Sequence, residues 1–87
     1  MQKDKYGLPV VMIGIEKICL PEKEQAKAYP VDVIDEMANE ILTGGWPTGN
    51  ELGVIAKENA YEVSASYSWF RAAVKSGITE IPCVIIE

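Results

Sequence analysis

The residues best suited to chemistry stand in one short run, Ser66-Tyr67-Ser68-Trp69, with Arg71 two positions further on. A strand-like stretch precedes the run and an apolar-periodic segment follows it, so it reads as a strand-to-helix turn. A helix start offers free N–H groups, and with neighbouring hydroxyls these hold an anion such as a phosphate. Arg71, the only arginine, could clamp that anion with two parallel hydrogen bonds. The simpler account is that Ser66 or Ser68 caps the helix, which needs no ligand. Arg71 would then pack its stem and pair its head with a surface acid. Trp46 and Trp69 lie beside this turn and beside a Gly-rich loop. They are suited to stacking on a base, to the core, or to anchoring a partner. Glu22 and Glu24 could accept a hydroxyl proton or hold Mg²⁺, although a Glu-Lys-Glu run ordinarily forms a solvated charge cluster.

Other chemistries are excluded by what the chain lacks. It has no histidine, which removes the commonest general base and the Ser–His and Cys–His mechanisms. With no histidine and two cysteines, a zinc site of the usual ligands is not expected. Cys19 and Cys83 sit in apolar contexts and read as buried free thiols of a reducing compartment rather than as a disulfide. The loop from Gly44 to Gly49 has phosphate-loop composition, but it lacks the Lys-Ser/Thr ending and a strand follows it, so it fails as a Walker motif. Thr48 is its polar candidate. The net charge is −5 and the eight basic residues are spread along the chain. Without a basic stripe, DNA binding by this chain alone is not expected. No apolar run approaches a membrane span, and no secretory apolar region follows the N-terminal lysines. A cytoplasmic protein is the default expectation.

The elements that must position these groups follow from periodicity. The 87 residues suit one small domain, 1–87. Leu8 to Ile15 is a strand candidate covered on both faces, and Pro21 to Lys27 is a polar loop with at most one helical turn. Pro30 to Leu42 is the clearest helix. Asp32 is its expected N-cap, Ile34, Met37, Ala38, Ile41 and Leu42 form one apolar face, and Gly44 supplies the left-handed stop. Leu52 to Ala56 and Tyr61 to Ala65 read as short strands joined by a turn over Lys57-Glu58-Asn59. The second helix turns Phe70, Ala73 and Val74 to the core and stops at Gly77, and Ile81 to Ile86 is the last strand. The sum is an α+β fold, a small mixed sheet with two main helices.

This pattern resembles the N-terminal domain of ParB chromosome-partitioning proteins, a fold shared with sulfiredoxin. The resemblance rests on Tyr61-Glu62-Val63, Arg71-Ala72-Ala73, Gly77-Ile78 and Ile81-Pro82, which fall in the family's register without a gap. It is supported by Ile15-Glu16-Lys17-Ile18 and by the helix over Val33 to Leu42. It implies that the strand-to-helix turn is a nucleotide-phosphate site. ParB proteins place a Gly-Glu-Arg-Arg box at the four positions that read Ser66-Tyr67-Ser68-Trp69 here. Sulfiredoxins place a reactive cysteine and an arginine in the same turn. This chain has neither Cys nor Arg at those positions.

The resemblance therefore implies a ParB/sulfiredoxin-like domain with a degenerate nucleotide box. ParB proteins carry DNA-binding and dimerisation domains after this one, and the 87 residues hold no counterpart of either, so a free-standing domain is expected. The first expectation is a regulatory or protein-interaction module with weak nucleotide or anion affinity at Thr48, Ser66, Tyr67, Ser68 and Arg71. Trp46 and Trp69 would face a protein partner or a second copy. The ligand class is a nucleotide, CTP or ATP, with Mg²⁺. The alternative is a nucleotide-dependent enzyme, a hydrolase or a nuclease-like or kinase-like protein, using Glu22 or Glu24. Some free-standing members of the fold are serine kinases with an acidic base in a comparable region.

Overall fold

The computed structural model describes residues 7–47 and 49–86. In chain order the elements are β1 (Val11–Gly14), a three-residue 3₁₀ turn (Ile15–Lys17), β2 (Ile18–Cys19), α1 (Glu22–Gln25) and α2 (Val31–Gly44). There follow β3 (Leu52–Ala56), β4 (Tyr61–Ala65), α3 (Tyr67–Ser76) and β5 (Glu80–Ile85). The expected strands over 52–56 and 61–65 form as read; β3 alternates buried Leu52 and Val54 with half-buried Gly53 and Ile55, and β4 buries Val63 at its centre. Lys57 N–H donates to the Ala60 carbonyl at 2.8 Å and closes the hairpin between them.

The five strands make one mixed sheet in the order β1-β5-β3-β4-β2. β1 is antiparallel to β5 and β3 to β4, whereas β3 runs parallel to β5 and β2 parallel to β4. The two edge strands are consecutive in sequence, which fixes the sheet's shape. Four interstrand gaps would put β1 about 19 Å from β2 in a flat sheet. The three residues between them, wound as a 3₁₀ turn, span only about 8 Å. The sheet must therefore curl until its edges approach each other. Ile15 N–H, donating to the Thr79 carbonyl at 2.9 Å, holds the linking turn to the β5 side.

One side of the curled sheet carries the core. Leu52, Val54, Val63, Ile81 and Cys83 are fully buried there, facing Ile34, Ala38 and Ile41 of α2 and Phe70, Ala72 and Ala73 of α3. α2 and α3 pack on each other, and α3 rests on β3 and β4. Burial of this kind stabilises by about 25 cal/mol per Å² of apolar surface. The result is the expected α+β arrangement.

Several local expectations are corrected. α2 begins after Pro30, whose fixed φ suits a helix entry. Asp32 lies inside the first turn, where its charge meets the helix dipole, and no side chain caps this end. The helix runs through Gly44 and stops at Gly45, at φ 79°. Leu42 and Val74 point to solvent, and Ala72 takes the core position expected of Val74. The first strand is shorter than 8–15, since only Val11–Gly14 pair with β5. Both cysteines are free; Cys83 is buried, but Cys19, on the two-residue edge strand, is exposed. Burial pushes the Cys83 thiol up to about 12. Among the described residues no helix is long and apolar enough to cross a membrane.

Candidate functional site

The bend into α3 has an unusual backbone. Ser66 sits at φ 71° and ψ 43°, the only non-glycine with positive φ among the described residues. Its side chain makes no capping hydrogen bond, so the expectation that Ser66 caps the helix is corrected. The resemblance places glycine at this position, the residue that adopts this geometry without steric penalty; here a serine holds the same left-handed shape. The first intrahelical bond runs from Phe70 N–H to the Ser66 carbonyl at 3.2 Å. The N–H groups of Tyr67, Ser68 and Trp69 thus have no acceptor within the helix and face the bend.

Beside the bend lies a polar cluster whose charged members come from distant parts of the chain. Glu24 on α1 is 4 % exposed, the one buried charged residue among those described. Lys27 Nζ donates to its Oε2 and the Tyr29 hydroxyl to its Oε1, both at 2.9 Å. The Lys27 hydrogen bond holds the Glu24 carboxyl below the usual carboxylate value; burial opposes this and the Tyr29 hydroxyl assists it. The same hydrogen bond raises Lys27. Tyr29 is raised, first by burial and then by its bond to Glu24. The expectation of a solvated Glu22-Lys23-Glu24 cluster is therefore corrected: Glu22 and Lys23 are exposed, and Glu24 turns inward.

Arg71, on the second turn of α3, ties α3 to this cluster. Its Nη2 donates to the carbonyls of Glu24 at 2.7 Å and Lys27 at 3.2 Å. Its guanidinium carbon lies 4.4 Å from the centre of the Tyr29 ring, within cation–π range. Its Nε is buried without an acceptor. Among the described residues the expected pairing of Arg71 with a surface acid does not form; backbone carbonyls take its place. Lys27, Arg71 and Lys75 line one open cleft of about 290 Å³ together with Tyr29, Val31 and Ile34. The bases that look scattered in sequence thus converge in part. Lys75 is paired with Asp35 across α2 and α3.

The two tryptophans meet. Their ring centres are 5.8 Å apart at an interplanar angle of 52°, which brings the loop after α2 against the first turn of α3. Trp46 Nε1–H donates to the Asn50 carbonyl at 3.0 Å. Both rings are half-buried against the core. Thr48 lies outside the described residues. Of the residues singled out from sequence, the fold brings Ser66, Tyr67 and Ser68 together at the bend, sets Trp69 and Trp46 against each other, and places Arg71 under α1. Lys27 and Tyr29 were missed. The signal available for them was their spacing of three and five residues from Glu24.

No protein-family model matches the sequence, and none of the curated proteins matches it. Solved structures do match. Chromosome-partitioning protein ParB from Caulobacter crescentus, C-terminally truncated and complexed with CTP-γ-S, superposes at a TM-score of 0.77 with 17% identity. That match covers 91% of this chain and 44% of the ParB chain, so the protein described here spans under half of that relative. Sulfiredoxin from Arabidopsis thaliana gives 0.76 with 22% identity over 91% of this chain and 85% of its own. A free serine kinase, a glutamate-to-alanine variant in complex with AMP, gives 0.72 with 13% identity over 100% of this chain and 34% of its own. With a five-stranded curled sheet, two packed helices and a left-handed bend into the second of them, this chain has the ParB/sulfiredoxin fold.

Proposed function

We propose that this chain is a binding module that takes a phosphate-bearing ligand weakly at the bend into α3 and carries a regulatory or protein-interaction role. One observation carries the reading: the charged groups near the bend are already committed within the protein. Arg71 is bonded to two carbonyls, Lys27 to Glu24, and Lys75 to Asp35. What remains for a ligand is mostly neutral, namely the N–H groups of the first turn and the hydroxyls of Ser66, Tyr67 and Ser68; of Arg71, Nε is left without an acceptor while Nη2 is held by the two carbonyls. Neutral donors at a helix start bind phosphate, but without the arginine fork that makes such binding strong. The ParB and kinase neighbours hold CTP-γ-S and AMP, which makes a nucleotide, with Mg²⁺ where it carries two or three phosphates, the ligand class to try first. The Trp46–Trp69 pair, half-buried beside the bend, is the surface offered to a protein partner or second copy.

A second reading, a nucleotide-dependent enzyme, is favoured by Glu24, a buried carboxylate held in its charged form. It is 4 % exposed and each of its oxygens already accepts a bond, from Lys27 or from Tyr29, so little of it is open to a substrate hydroxyl. That places the enzyme reading second.

Thermal melting with CTP, ATP, ADP and AMP, with and without Mg²⁺, separates the two when product formation is followed in the same samples. The expected result is a stabilisation below about 1 kcal/mol at millimolar nucleotide, without turnover. Saturation at micromolar concentration, with about 2.7 kcal/mol gained at a hundred times the dissociation constant, would overturn the claim of weak binding. Turnover that disappears in Glu24→Gln would establish the enzyme instead.

A further inference from the structure

On another part of the surface is a cleft of about 330 Å³, within the range of small-ligand sites. It lies between the end of α2, the loop after it and the β1–β5 edge of the sheet. Met12, Ile41, Trp46, Ile78 and Pro82 make its walls apolar and aromatic. Among the described residues its only charged lining residues are Glu51 and Glu80, and no basic one lines it. Among the described residues neither carboxylate is in an ion pair, because the three ion pairs there involve Glu24, Glu62 and Asp35. Glu51 accepts one neutral bond, from Gly49 N–H at 3.1 Å. The Trp46 indole is fixed by its bond to Asn50 and by Trp69 behind it.

We infer that this cleft is a binding site for a small organic amine, a protonated nitrogen carried on an apolar body. Charge complementarity selects the ligand. Two unpaired carboxylates on an apolar wall attract a cation and repel the phosphates proposed for the α3 bend. A fixed indole adds attraction for a cation over its face, an interaction that grows as water is excluded. The apolar lining rewards a hydrocarbon skeleton and gives nothing to a bare metal ion, for which no suitable group of ligands exists among the described residues. The cleft shares no lining residue with the one formed by Lys27, Arg71 and Lys75, so the two sites differ in sign as well as in place. This assignment does not depend on the nucleotide reading.

The test is a titration of the full chain with 2-phenylethylammonium and with its neutral counterpart 2-phenylethanol, followed by tryptophan fluorescence and by Met12 and Trp46 side-chain NMR shifts. The amine is expected to bind saturably, about three- to tenfold more tightly than the alcohol, and less tightly as salt rises. Glu80→Gln, an exposed change at the start of β5, is expected to remove most of that preference while leaving the fold intact, as its amide spectrum will report. Equal binding of amine and alcohol, an unchanged preference in Glu80→Gln, or no saturable shift at Met12 and Trp46 would each overturn the assignment. Preference by more than about tenfold for an acetylated arginine amide over the free amine would also overturn it, because the site would then belong to a partner's side chain.

Discussion

Ser66 is held left-handed without the residue type that favours it and without a hydrogen bond from its own side chain. An L-residue there carries a steric penalty of about 1–2 kcal/mol relative to glycine. Ser66→Gly is therefore expected to stabilise the fold by about 1 kcal/mol, after some loss to the greater freedom of glycine in the unfolded chain. In urea unfolding the midpoint should rise with the slope unchanged; a fall would show that the serine makes an interaction that stabilises the bend. Glu24 gives a prediction in pH. Its carboxyl is lowered in the folded state, chiefly by the Lys27 bond, so its stabilisation is complete above the ordinary value of 4.5 and is lost as pH falls below it. The stability gap between wild type and Glu24→Gln should be widest near neutrality and close progressively below pH 4.5; a gap that stays constant down to pH 3 would refute this account. Neither role was legible in the sequence. Glu24 is flanked by polar residues that mimic a solvated turn, and the carbonyls that hold Arg71 lie 44 and 47 positions away. Local pattern carries no information at that separation. The bend itself was legible, because a short strand-like run centred on Val63 gives way to helical spacing after Ser66.

Among the elements, α2 offers a comparison between adjacent glycines. Gly44 is the last helical residue and Gly45, at φ 79°, is the stop. A Cβ on either would meet no atom within 4 Å, so the backbone alone decides the effect. Gly44→Ala should raise stability by up to about 1 kcal/mol through helix propensity. Gly45→Ala should lower it by about 1–3 kcal/mol, because φ 79° with ψ −177° is a conformation essentially restricted to glycine. Thermal melts of the two variants should move in opposite directions, and a shift of the same sign in both would place the helix end elsewhere. The sequence shows a stop in this pair but not which glycine makes it, because propensity differs little between helical and stop positions one residue apart. β3 and β4 were legible to the residue, since alternation, a polar turn and β-branched composition agree there. β1 was read as overlong because Leu8 and Val10 are as apolar as the residues inside the strand.

For the whole molecule, net charge alone gives a misleading picture. A chain of charge −5 still gathers three of its eight cations around one cleft, while a second cleft is lined by carboxylates and apolar walls. Composition predicts long-range steering but not this separation. The curl of the sheet was likewise hidden, because strand order is a tertiary property. It follows once β1 and β2 are known to sit at opposite edges with three residues between them. That connection makes the stretch from β1 to β2 a clasp. Deleting everything before Leu20 would strip partners from both rims at once, leaving β5 and β4 bare along their outer sides. Exposed rims of that kind recruit strands from other molecules, and Ile81-Pro82-Cys83-Val84-Ile85 has little charge to prevent it. Such a truncated chain should precipitate in a concentration-dependent way where the intact one stays dispersed, which light scattering would register. The short N-terminal stretch, which holds none of the residues first singled out for chemistry, would then be what keeps the molecule from polymerising with its neighbours.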